Sequence, residues 1–180
     1  MAVVEERYAG ALLDIAIKEN LAKQYLEEVT ALKAAFEENP ELMALYLNPK
    51  ISLEEKLQVT DNCFKDRFSD DVVGLIALIV TNGRSANINS VLNWFIDNVK
   101  EYLKIGIVYV ESACELDESR KTALERKILQ TTDYVSLEIY YSIKKELIGG
   151  MRVRIKDRII DNSIKTKLDE MTKELRQVQL

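Results

Sequence analysis

Leu103-Lys104-Ile105-Gly106-Ile107-Val108-Tyr109-Val110 is where the chain changes its hydrophobic period, and that change decides the fold. Downstream of Gly106, Ile107 to Val110 are β-branched and aromatic and read as a buried strand. Upstream, apolar residues recur at helical spacing without interruption. The stripe Ile88, Val91, Leu92, Phe95, Val99, Tyr102 and Leu103 predicts a helix from about Ala86 to Lys104. The boundary is therefore expected near residue 105, with an all-helical unit at 1–105 and an α/β unit at 106–180.

Working back from this point, the helices have legible ends. A helix from about Val4 to Glu19 is followed by one from Leu21 to Glu38. The second stops before Asn39-Pro40, because the residue preceding proline is pushed out of the helical region. A short helix covers Glu41 to Leu47. Ser52 with Glu55 forms a capping box for the next, expected to reach Phe68. Another follows Ser69 and ends at Thr81-Asn82-Gly83, where Gly83 suits a left-handed C-terminal cap. This makes a six-helix bundle.

Working forward, Asp117 caps a helix reaching about Gln130. Val135, Leu137, Ile139, Tyr141 and Ile143 then alternate with polar or exposed positions, as a strand with one buried face does. Gly149-Gly150 breaks the chain at a turn requiring positive φ. Met151, Val153 and Ile155 form a further strand, turning through Asp157-Arg158 into Ile159-Ile160. Asp161 or Ser163 caps a last helix whose one face carries Ile164, Leu168, Met171 and Leu175. Strand, helix, strand implies a parallel pair with a right-handed crossover. The expected class is mainly α: a six-helix bundle, then a small α/β domain with a mixed sheet and two helices.

Composition narrows the function. Of 180 residues 47% are hydrophobic, enough for a real core, yet no run approaches the ~20 apolar residues that span a bilayer. The N-terminus resembles neither a secretory signal nor a transit peptide. With no histidine, the commonest general base and metal ligand are missing. Cys63 and Cys114 lack any partner motif and read as buried, reduced thiols. Residues 1–105 carry 11 Lys/Arg and 17 Asp/Glu, a net of −6 that repels phosphate backbones. No nucleophile–base pair, metal spacing or dinucleotide fingerprint is present, so no catalytic residue, cofactor or metal is expected. Gly149-Gly150 precedes a strand, not a helix N-terminus, and lacks the phosphate-loop pattern.

Two helices carry more apolar surface than one-sided packing needs. Val4, Tyr8, Ala9, Ala11, Leu12, Leu13, Ile15, Ala16 and Ile17 cover over half of the first helix. Val72 to Val80 is nine uncharged residues in succession. Both fit central helices of the bundle. Both also fit outer faces that form a groove for an amphipathic helix, and the two readings hold together if the helices are neighbours. The candidate lining is Tyr8, Ala9, Leu12, Leu13, Ala16, Val72, Leu75, Ile76 and Ile79. Arg152, Arg154 and Lys156 on one strand face read as a solvated face or as a seat for an acidic helix.

Arg7-Tyr8-Ala9-Gly10-Ala11-Leu12 resembles the opening of the ATP synthase delta family, whose mitochondrial relative is the oligomycin-sensitivity-conferring protein. Asn82-Gly83-Arg84 is similar to the family's middle segment. Leu147-Ile148-Gly149-Gly150-Met151-x-Val153-x-Ile155, followed by Ile159-Ile160-Asp161-x-Ser163-Ile164 and Leu168, resembles its C-terminal signature. The family commonly has Gly-Asp in the hairpin turn where Lys156-Asp157 stands, and Gly where Asn162 stands. The resemblance implies a non-catalytic stator adaptor. Its bundle holds the N-terminal helix of an alpha subunit against the first and fifth helices, and its C-terminal domain meets the b subunits of the peripheral stalk. It also implies a monomer alone, one copy per complex, without nucleic acid or direct membrane insertion, at the cytoplasmic face of a bacterial cell membrane. The rival is a helical-bundle RNA-binding or transcription factor, which predicts a basic face on the bundle.

Overall fold

The computed structural model describes residues 2–178, with side chains from 5 to 173. The described chain is mainly helical with one small mixed four-stranded sheet, and it divides into two units, Met1–Leu103 and Lys104–Leu180.

The first unit contains α1 (Ala2–Lys18), α2 (Ala22–Glu38), α3 (Pro40–Leu47), α4 (Leu53–Phe64), α5 (Asp70–Thr81), a 3-10 turn (Ser85–Asn87) and α6 (Ile88–Tyr102). Local chemistry sets most of these ends. Pro40 opens α3 at a position where its missing N–H costs nothing. The Ser52–Glu55 capping box is formed in both directions. Gly83, at φ 66, ends α5: its N–H donates to Val80 O and that of Arg84 to Ile79 O. Asn20, at φ 61, ends α1 in the same way. α4 stops at Phe64, short of the expected Phe68, whose ring packs edge-on to Phe64. The core is built from Tyr25, Val29 and Leu32 of α2, Ile76 and Ile79 of α5, and Ile88, Leu92, Phe95 and Val99 of α6. Tyr102, placed on the α6 stripe by its spacing, is half exposed.

The second unit contains β1 (Ile105–Ser112), α7 (Glu118–Thr131), β2 (Ser136–Ile143), a 3-10 turn (Lys145–Leu147), β3 (Met151–Ile155), β4 (Arg158–Asp161) and α8 (Ile164–Val178). The sheet order is β2-β1-β3-β4, with β1 parallel to β2 and the other pairs antiparallel. Asp117 Oδ1 accepts the Arg120 N–H and starts α7. Ile128 of α7 lies over Val108, Val110, Val153 and Ile155, with Leu137 and Ile139 half covered.

Three expectations need correcting here. β2 is an edge strand, so Tyr141 and Ile143, and Val135 just before it at 74% exposure, lie outside the core although their alternation suggested one buried face. The hairpin turn is Lys156-Asp157, because Ile155 pairs with Arg158. Lys156 adopts φ 49 there, a left-handed geometry that glycine adopts at less cost. Cys63 and Cys114 are both exposed. Of the glycine pair, Gly150 has positive φ, 77, and Gly149 does not. A Cβ on Gly149 would lie 2.5 Å from Ile164 Cδ1, so close packing is the reason for glycine there. Leu175 and Val4 lie outside the described side chains.

Candidate partner-binding surfaces

α1 packs on α6 and α5, and this arrangement decides which part of its broad apolar arc turns inward. Tyr8, Ala9, Leu12 and Ala16 are buried in the helical unit, as are Val72, Leu75, Ile76 and Ile79 of α5. Eight of the nine groove candidates are therefore core residues, and Leu13 is half-buried. Tyr8, at the edge of the core, also lines a surface hollow. That hollow, about 290 Å³, is bounded by Arg7, Tyr8, Leu78, Asn82 and Arg84.

Leu78 is the apolar feature of this seam, 50% exposed. Gly74 and Asn82 precede and follow it by one turn on the same helix face. A Cβ on Gly74 would meet nothing within 4 Å, so the α5 surface is open there. Ala11 on α1 is also exposed. The seam thus has small residues, one large apolar side chain and two guanidinium groups at its rim. Arg7, Leu78, Asn82 and Arg84 were absent from the expected lining. Arg7, Asn82 and Arg84 lie within the motifs that carry the family resemblance, and that was the only signal available.

Two polar ties hold α5 against α2. The Tyr25 hydroxyl donates to Asp71 at 2.5 Å, and burial together with that carboxylate pushes the phenol up to about 12. Glu28 Oε2 accepts from both the N–H (2.8 Å) and the hydroxyl (2.7 Å) of Ser69. Burial alone would raise the Glu28 carboxyl, but the hydrogen bonds from Ser69 and Gln24 outweigh it and hold it below its ordinary value. A depressed carboxyl stabilises the folded state in full above its unfolded value, near 4.3, and loses that contribution as pH falls through the lower folded value. Glu28→Ala is expected to cost the helical unit about 1 kcal/mol at pH 7, allowing for partial exposure, and much less at pH 3. Urea midpoints at both pH values measure this; an equal loss at both would show that the charge is irrelevant.

In the second unit the three cations expected on one strand face are not a bare row. Arg152 pairs with Asp161 at 2.8 Å and reaches Glu111 at 3.5 Å. Arg154 lies over the Tyr109 ring at 4.6 Å, and Tyr109 stacks on Tyr140. Asp161 also accepts from the Ser163 N–H and the Thr166 hydroxyl. These bonds push its carboxyl well below the usual range. Among the described residues no group of acidic or sulfur side chains is placed to hold a metal, and no helix is long and apolar enough to cross a membrane.

The model of the ATP synthase delta (OSCP) subunit family matches residues 4–175. The chain belongs to the ATP synthase delta (OSCP) family. It is 39% identical to ATP synthase subunit delta of Lachnoclostridium phytofermentans over 178 residues, covering 99% of this chain and 98% of that one. It is 32% identical to the subunit of the same name from Halalkalibacterium halodurans, covering 96% and 94%. A chain of the Toxoplasma gondii mitochondrial ATP synthase hexamer shares the fold, with a TM-score of 0.70 over 95% of this chain and 96% of that one at 17% identity. The middle and C-terminal delta-family motifs fall at caps and turns, with Gly83 at the α5 cap, Gly150 at the turn into β3 and Asp161 at the hub before α8, while Arg7 to Leu12 lies within α1.

Proposed function

We infer that this chain is a stator subunit of an F-type ATP synthase, joining the catalytic head to the peripheral stalk so that proton-driven rotation is coupled to ATP synthesis. The observation that carries this is the family match over residues 4–175. In this reading the helical unit is the family's six-helix bundle, and the α1–α5 seam receives the amphipathic N-terminal helix of an alpha subunit. The second unit meets the b subunits. The chain performs no chemistry and attaches peripherally, through its partners, to the cytoplasmic face of a bacterial membrane. The acidic first half disfavours the nucleic-acid alternative.

The seam suits a static joint. The exposed Leu78 offers an apolar anchor, Ala11 and Gly74 let a helix backbone approach, and Arg7 and Arg84 select an acidic flank. Apolar area contributes ~25 cal/mol per Å² before association costs are subtracted. Calorimetry of the full chain with a peptide from the alpha-subunit N-terminus tests the seam. Leu78→Asp should leave the unit folded and weaken binding by about 10-fold or more, or ~1.4 kcal/mol. Full affinity in the folded variant would remove Leu78 from the contact, and no binding by the wild-type chain would remove the seam.

A further inference from the structure

The sheet order β2-β1-β3-β4 leaves two edges, and they are built differently. β4 is four residues long and has Arg158 and Asp161 at its ends, which blunts it against further pairing. β2 is eight residues long, contains neither proline nor glycine, and has Glu138 as its one charge. Tyr140, Tyr141 and Ile143 are exposed along it.

The backbone bonds show which groups of β2 stay open. Lys144, still extended, donates its N–H to Ser112 O, and Ala113 N–H donates to Gly150 O. Successive strand residues turn their N–H and C=O to opposite sides. Even-numbered residues of β1 therefore turn to β2 and odd-numbered ones to β3. Along β2, Glu138, Tyr140 and Ser142 turn with Lys144 toward β1. Leu137, Ile139, Tyr141 and Ile143 turn to the side where the sheet has no further strand. At the entry, where Lys104 is left-handed at φ 54, Val135 N–H also bonds to Lys104 O; from Ser136 onward the register is continuous. Such an open row is a template for another extended chain.

We propose that the open edge of β2 pairs with the same edge of a second copy of this chain, antiparallel about a two-fold axis at Tyr141. Tyr141 then faces the partner's Tyr141, Ile139 faces the partner's Ile143, and Glu138 faces the partner's Lys144. Charge complementarity selects this occupant and this register, because the Glu138–Lys144 pair forms twice and a slip of one ladder step removes both. The edge-turned residues 139, 141 and 143 meet one another, which supplies about six backbone hydrogen bonds. Their side chains share the face that α7 covers in part, so Ile139, Tyr141, Ile143 and their copies form one apolar cluster. The seam is ~23 Å long and one strand wide, small beside the ~1,200–2,000 Å² of a stable interface. The chain is therefore a monomer when dilute and pairs when concentrated. In the stator reading, with one copy per complex, the pairing belongs to the unassembled chain.

Sedimentation equilibrium of the full chain, from micromolar to near-millimolar concentration, measures the association, and amide hydrogen exchange locates it. The expected result is a monomer–dimer equilibrium. The amides of Ile139, Tyr141 and Ile143 should gain protection only at high concentration, whereas β1 protects those of Tyr140 and Ser142 throughout. Glu138→Lys and Lys144→Glu should each raise the Kd about 10-fold or more, since both charge pairs then repel. Mixed together, the two variants should associate again, within about 3-fold of wild type, because each carries the charge that the other has lost. No association at any concentration would overturn the proposal. So would association unchanged in both single variants, or a mixture no tighter than either variant alone. Protection appearing on α8 instead, with association lost in Leu168→Glu, would place the contact on the exposed stripe of Ile164, Leu168 and Met171 and overturn it as well.

Discussion

Ala16→Asp is expected to unfold the helical unit. Ala16 is fully buried on α1. A carboxylate there has no water and no partner, so it must either remain charged in the core or bind a proton. A buried carboxyl shifts by up to 3–5 pH units, which at neutral pH corresponds to about 4 kcal/mol or more. That is a large fraction of the 5–15 kcal/mol typical of a whole domain. The chain has one tryptophan, Trp94 on α6, so its fluorescence reports the helical unit alone. The expected result is a Trp94 transition moved to much lower urea, or lost. Ala11→Asp, on the exposed side of the same helix, should shift it by less than about 0.5 kcal/mol. A wild-type midpoint in Ala16→Asp would show that α1 is rotated from the position described.

Gly150→Val should disrupt the second unit and spare the first. Gly150 sits at φ 77, where a left-handed backbone costs an L residue about 1–2 kcal/mol and a β-branched one more. A Cβ there would also collide with the backbone carbonyl of Asn162, which cannot move aside as a side-chain tip can. Asn162 lies between Asp161 and Ser163, so the collision reaches the hydrogen bonds that start α8. Together these predict a loss of about 3 kcal/mol or more. Circular dichroism should show an early phase while the Trp94 transition keeps its midpoint. Gly149→Ala, which meets only the flexible end of Ile164, should cost under about 1 kcal/mol. A Gly150→Val protein melting like wild type would mean that the turn is not built as described.

Element identity in this protein follows from local chemistry, and the sequence alone determined it. Ser52 with Glu55, Asp117, Pro40 and Gly83 act on backbone groups within a few residues of themselves, so their effect is readable without knowing the rest of the chain. The period change at Gly106 and the alternation in Met151–Ile155 likewise need only a short window. The middle and C-terminal family motifs were readable for the same reason, since Gly83, Gly150 and Asp161 mark caps and turns. Tertiary structure alone decided which face each apolar surplus presents. Period gives the width of an apolar arc on α1 or α5 but not its phase, and the phase is set by where α6 and α2 lie; so Ala16 and Ile79 went inward and Leu78 stayed out. The alternation of β2 could not say that the strand lies at the sheet's edge, where Leu137 and Ile139 are partly covered and Tyr141 and Ile143 stay exposed. Burial depends on which elements meet, and for these segments that is settled by contacts between residues far apart in the chain.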